Sequence, residues 1–222
     1  MVDTQQTGEQ QAGEQQESAP QEWADWRAYG PPALPRILQA ALEAFVEHGY
    51  HGTSIRDIAA ASGLSVPGVY HHYRSKQEIL HALMGATMDE LLGRSRAALA
   101  DAGEEPLARF DAVVESLVRF HMARRAQAFV GSSEMRSLEP ENRAAHVVRR
   151  DEQQAMVRVV LEDGVATGVF ATPFPADVAR AISSLCVGVA SWYREDGPEG
   201  AEELVRRHLA MARTLADAGR AG

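Results

Sequence analysis

The chain has 222 residues, 31 acidic against 22 basic side chains, and a formal net charge of −9. That length is enough for a sizeable core in one or two domains, and 45% hydrophobic with 24% charged residues excludes a wholly disordered chain. A single cysteine, Cys186, excludes an internal disulfide framework, while the acidic total weighs against nucleic acid as a partner unless the charge is unevenly spread.

It is unevenly spread. Residues 1–32 hold six acids and one base, Arg27, among Gln, Glu, Gly and Ala, and are expected to form a disordered acidic tail; Trp23, Trp26 and Tyr29 near its end either dock back on the body or, as the favoured reading, stay loose. The opening MVDTQQTGEQ lacks a basic-then-apolar leader, so the expected location is cytoplasmic. Residues 34–81 hold four acids and four bases, and five of the eight histidines: His48, His51, His71, His72 and His81. Residues 82–222 carry 21 acids and 17 bases.

In chain order, Ile37, Ala40, Ala41, Ala44 and Phe45 recur at helical steps after Pro35, and Gly49 stops that helix. Thr53 or Ser54 caps a short helix carrying Ile55, Ile58 and Ala59. Ser62-Gly63-Leu64-Ser65 breaks it, and Ser65 caps a second short helix running through Tyr73. Ser75-Lys76-Gln77-Glu78 is a capping box that opens a long helix through Leu92. Helices follow at Pro106–Phe129, Pro140–Thr167, Pro175–Glu195 and Glu199–Ala218, punctuated by Gly103, Gly131, Gly168, Pro173 and Gly197-Pro198. No period-two run argues for a sheet, so the expected fold is all-α with about nine helices. The most apolar stretch, Ala181–Tyr193, is too short and too rich in serine to cross a membrane.

Thr53–Lys76 reads as two short helices joined by a glycine-bearing turn, the plan of a helix-turn-helix. Ile58, Ala59, Leu64 and Val69 supply its packing, leaving the first turn of the second helix free to enter a major groove. From Arg36 to Lys76 the chain resembles the DNA-binding head of TetR-type transcriptional regulators. The matching positions are Gly49-Tyr50, Thr53-Ser54-Ile55-Arg56-Asp57-Ile58-Ala59, Ser62-Gly63-Leu64-Ser65 and Val69-Tyr70-His71-His72-Tyr73-Arg74-Ser75-Lys76. The resemblance implies a three-helix DNA-binding head over residues 33–80 and a body of about six helices over 81–222 that binds a ligand and dimerises. It implies phosphate contacts for Thr53 and Lys76 and base-edge positions for Val66, Pro67 and Gly68. Tyr70 and His72 reach backbone and adjacent bases, and Ser54 and Ser65 stand at the helix starts. Tyr73 reads as packing. The partner is then double-stranded operator DNA, bound by a homodimer.

In the body, Phe110, Val114, Leu117 and His121 share one helical face, and with Arg125, Met156 and Trp192 they form the expected ligand pocket. Ile182, Leu185, Val189 and Trp192, then Leu204, His208, Met211 and Leu215, recur at steps of three and four and form the expected dimer surface. Trp192-Tyr193-Arg194 with Gly197-Pro198 resembles a block in TetR-type regulators of fatty-acid or sterol breakdown that respond to acyl-CoA thioesters. It specifies either the effector or the bend. His48 and His51 have a metal-ligand spacing, but Gly49 ends the helix between them and no carboxylate partner is at useful spacing. No metal and no cofactor is therefore expected, and no nucleophile elbow, Walker loop or dinucleotide fingerprint argues for an enzyme. The competing reading is an interaction protein that kept the fold and lost DNA binding; Tyr70, His72 and Lys76 argue against it.

Overall fold

A computed structural model describes Trp23 and residues 25–218, so most of the tail lies outside the described residues. Nine α-helices follow one another, with no strand among the described residues. They are α1 (Arg36–Gly52), α2 (Ile55–Ser62), α3 (Val66–His72), α4 (Lys76–Asp101) and α5 (Pro106–Ala123), then α6 (Arg125–Ser133), α7 (Pro140–Ala166), α8 (Pro175–Trp192) and α9 (Ala201–Leu215). No described helix is long and apolar enough to cross a membrane.

Local chemistry sets the boundaries. Ser54, Ser65 and Ser75 each accept an N–H of the first turn, from Asp57, Gly68 and Glu78. The carboxylate of Glu105 does the same for α5, accepting from Leu107 and Ala108, and Pro106, Pro140 and Pro175 sit in first turns where an N–H has no helical partner. Gly63 ends α2 in the left-handed region (φ 67°), and a Cβ there would lie 2.9 Å from the Arg36 guanidinium that donates to Ser62 O. That turn sets the angle between α2 and α3.

Apolar burial divides into two main cores. Ile37, Ala41, Phe45, Ile58, Ala59, Val69, Leu80 and Leu83 build the head, joined by Val130 and Leu138 from the body. Leu92, Phe110, Val114, Leu117, Val157, Leu161, Phe170, Ile182, Cys186, Val189 and Leu204 build the body. Burial pushes the Cys186 thiol up to about 12, so it acts as an inert core residue. α4 runs through both cores and is the rigid link between them.

Three expectations need correction. The single helix over Pro106–Phe129 is two helices, because the chain breaks at Arg124 (φ −113°, ψ 40°), where the guanidinium turns to meet Glu90. Gly131 then lies inside α6 instead of ending it. The disorder expected over residues 1–32 does not hold in its described part: Trp26 is 2% exposed and packs on Ala97, Ala98 and Ala112, while residues 1–22 lie outside the described residues.

Burial also gives the body an acid-sensitive element. His121 is enclosed in α5, with Nδ1 2.7 Å from Leu117 O, and desolvation lowers its pKa to about 4. Burial, with Arg150 and Arg149 adding to it, lowers His146 to about 4 as well. Both histidines are neutral in the folded protein at pH values where the unfolded chain binds a proton, so stability falls as pH drops from about 6.5 towards 4. Urea unfolding should show on the order of 2 kcal/mol less stability at about pH 5 than at about pH 7 from His121 alone, and His121→Gln should remove that part of the dependence. Equal stability of the parent at the two pH values would refute it.

Candidate nucleic-acid interface

α3 has seven residues and one buried anchor, Val69, which is fully enclosed in the head core. Everything else about α3 faces outward or sits at its rim. Ser65, Pro67, Tyr70, His71 and His72 are exposed, and Val66 and Gly68 are half-buried. Tyr70 is 48% exposed, a large aromatic that the head core does not use, whereas Tyr73 packs against that core. A short helix held by one valine, with its first turn and one aromatic projecting from a rigid scaffold, is the geometry that enters a major groove.

The flanking residues sort differently. Ser54 is exposed at the start of α2, but its backbone N–H already donates to Asp57 Oδ2 at 2.7 Å. Those hydrogen bonds, from the Ser54 side chain first, hold the Asp57 carboxyl below its usual range, so a negative charge occupies the site. Thr53 is not placed to meet phosphate: it is 2% exposed, and its hydroxyl donates to Gly49 O and Ala44 O at 2.9 and 3.1 Å. It closes the end of α1 instead. Lys76 donates to Tyr50 O and Thr53 O, both at 2.6 Å, and its Nζ lies 4.2 Å from the Tyr50 ring centroid. Partial burial lowers its pKa, and Asp57 and Glu134 oppose that shift. One of its three N–H groups is left for a phosphate.

Sequence reasoning missed three residues here. Arg56 and Arg74 are exposed and make no ion pair among the described residues, so they are the head's free cations; they lie inside the matched stretches, but the resemblance assigned them no contact. Gln77 donates to the Tyr50 hydroxyl and to Ser137 O, and accepts from Glu139 N at 3.1 Å, clasping head to body beside the 3-10 turn Met135–Ser137. Nothing in the sequence marks it.

In the body, Phe110, Val114 and Leu117 are enclosed in the core, His121 is buried beside them, and Met156 packs on the same cluster. Arg125 is exposed and donates to Ala190 O at 3.2 Å. A groove of 410 Å³ lined by Ser132, Ser133, Met135, Arg136 and Arg143 includes none of these residues. Ile182, Val189, Leu204 and His208 are buried within one protomer, which corrects their placement on a dimer surface: their stripe packs α8 and α9 onto α5. Leu185 is half-buried, and Trp192, Met211 and Leu215 are 50%, 41% and 43% exposed, joined by Val187 at 44%. The Trp192–Pro198 block forms the turn between α8 and α9, with Tyr193 buried and Gly197 N donating to Arg194 O at 3.0 Å.

A helix-turn-helix head carried by one long helix on a larger helical body is the architecture of a ligand-responsive, DNA-binding transcriptional regulator. Comparison with known proteins agrees at both ends of the chain. The model of bacterial regulatory proteins of the tetR family matches residues 37–83, and that of the tetracyclin repressor-like C-terminal domain matches residues 103–216. The chain belongs to the TetR family. It is 31% identical over 181 residues to the HTH-type transcriptional repressor KstR2 of Mycobacterium tuberculosis, covering 79% of this chain and 88% of the repressor. A TetR-family regulatory protein from Rhodococcus RHA1 is similar in structure, with TM-score 0.76, 29% identity, and coverage of 83% of this chain and 96% of that one. The ketosteroid transcriptional regulator KstR2 of M. tuberculosis has TM-score 0.72 at 28% identity, covering 82% and 95%.

Proposed function

We propose that the protein is a repressor that binds a roughly palindromic operator as a homodimer and is released by a small hydrophobic effector of the acyl-CoA type. The projecting turn Ser65–Gly68 with exposed Tyr70 carries the DNA part of this reading. Val66 and Gly68 offer no hydrogen-bond donor, so base reading rests on methyl contacts with thymine, on Tyr70, and on DNA shape. His72, Arg56, Arg74 and the remaining N–H of Lys76 supply the backbone contacts.

The exposed apolar residues Val187, Trp192, Met211 and Leu215 on α8 and α9 support a two-fold interface, which would present two copies of α3 to two half-sites. The effector reading is supported by the body interior. Ser95, Ser116, Gln153 and Ser183, on α4, α5, α7 and α8, carry buried polar atoms without a hydrogen-bond partner. Each such group costs about 1–3 kcal/mol, a penalty that a ligand with polar groups on an apolar frame would relieve. The resemblance of the Trp192–Pro198 block to acyl-CoA-responsive regulators favours an acyl thioester, and the likeness to a ketosteroid transcriptional regulator favours a large apolar frame. An effector that prefers spread heads lowers the population of the operator-competent spacing, with α4 as lever.

A gel shift with the DNA upstream of the protein's own gene tests the reading. Retardation that persists over excess non-specific DNA is expected. Lys76→Ala should weaken it by about tenfold without changing sequence preference, because the lysine meets phosphate and steadies the junction of α1 and α4. Absence of retardation at low salt would favour the interaction-protein reading.

A further inference from the structure

The segment ahead of α1 is a folded element in its own right. Arg94 on α4 and Arg124 between α5 and α6 share the single carboxylate of Glu90, with N···O distances of 2.8–3.0 Å. Both arginines are 5% exposed. The remaining positive charge is met by backbone carbonyls of the N-terminal segment: Arg94 donates to Trp26 O and Ala28 O at 3.0 and 2.9 Å, and Arg124 to Gly30 O at 2.9 Å. The Tyr29 ring lies across both guanidiniums, 3.8 Å from Arg94 and 5.1 Å from Arg124. Trp26 donates to Asp101, while Arg27 bridges Asp101 on α4 and Glu115 on α5. Trp23 packs over Gly93 so closely that a Cβ at position 93 would lie 2.4 Å from its indole nitrogen.

The continuation towards the head is stiff. Pro31-Pro32-Ala33-Leu34-Pro35 has three prolines in five residues, a composition that acts as a semi-rigid spacer. Its Leu34 packs against the head core, and Pro35 is the N-cap of α1. The chain therefore joins head and body twice, once through α4 and once through this segment.

We propose that Trp23 and residues 25–35 are a strap that fixes the packing of α4 on α5 and α6 and transmits it to α1, holding the head where it binds operator. The inference deepens the reading of the protein as a DNA-binding repressor and rests on it for its second readout. If α4 swings against α5, the strap must lift from Arg94 and Arg124 or drag α1 with it. A head movement on effector binding thus has two linked levers rather than one, and Glu90 with its two arginines is the latch.

Two variants of the full chain test this. Gly93→Ala raises helix propensity, which works against faster exchange, and ejects Trp23; deletion of residues 1–30 removes the strap's contacts with Arg94 and Arg124 outright. Hydrogen exchange of the amides in the first turns of α1 and in residues 89–101 should accelerate at least about tenfold in the deletion, and by less in Gly93→Ala, with unchanged helical circular dichroism. Operator affinity at fixed salt should fall by about tenfold in the deletion. Unaltered exchange in α1 and α4 in the deletion would overturn the strap, and faster exchange with undiminished operator affinity would overturn its coupling to DNA. Failure of the parent protein to bind any operator would instead refute the DNA-binding reading, and the exchange measurement would still decide the strap.

Discussion

Glu90→Gln should unfold the protein more readily than any surface substitution, lowering stability by about 3–5 kcal/mol. The carboxylate faces two guanidiniums whose side chains are each 6% exposed, and its own side chain is 13% exposed. An amide of the same shape keeps one acceptor but removes the only negative charge between Arg94 and Arg124, which leaves two cations desolvated against Tyr29 and three carbonyls. Repulsion of that kind is poorly screened in the interior. The shift should appear as a fall of roughly 10 °C in the thermal midpoint at fixed protein concentration. Arg180→Gln, which breaks an ion pair with Asp177 that is about 70% exposed on both sides, should leave the midpoint unchanged. Equal effects of the two substitutions would show that the cluster around Glu90 is solvated in solution.

The second large effect is on DNA, without loss of stability. Tyr70→Ala removes a side chain 48% exposed, outside the head core, so the midpoint should hold. A dimer loses the contact twice, and at about 1–3 kcal/mol for each contact the operator affinity should fall by at least roughly thirtyfold. Val69→Ala is the contrasting variant, because Val69 is the enclosed anchor of α3 and its loss should lower stability along with binding. If Tyr70→Ala bound operator as tightly as the parent, α3 would not be the reading element.

The head was legible in the sequence because its information is local. Ser54, Ser65 and Ser75 caps, the Gly63 turn and the packing set Ile58, Ala59 and Val69 all act within a few residues of each other, and they hold in the structure. What escaped depends on contacts distant along the chain. The break at Arg124 has no glycine or proline to announce it, since its cause is Glu90, far away in sequence. Trp23, Trp26 and Tyr29 lie in a stretch with no helical or strand period, and their docking is visible only once α4 and α5 stand side by side. α8 misled for another reason. It is apolar on two faces, with Ile182 and Val189 inward and Val187 and Trp192 outward, and a periodic stripe cannot say whether its partner is the same protomer or a second one. Thr53 and Lys76 are residues whose local folding contacts compete with the phosphate role implied by resemblance.

The charge distribution supplies the most direct test. A head with four acids and four bases, in which Arg36 is held by Ser62 O and Lys76 by two carbonyls, has few cations to offer phosphate. If Arg56, Arg74 and one N–H of Lys76 each meet a phosphate, as proposed, a subunit makes about three such contacts, hence a slope of log affinity against log salt of about −5 for a dimer. The decisive measurement is operator affinity as a function of salt concentration. A slope near −5 with retained sequence preference is the result expected if two copies of α3 read the operator. A slope steeper than about −10 would place the DNA on a different and far more basic surface, and contradict the account.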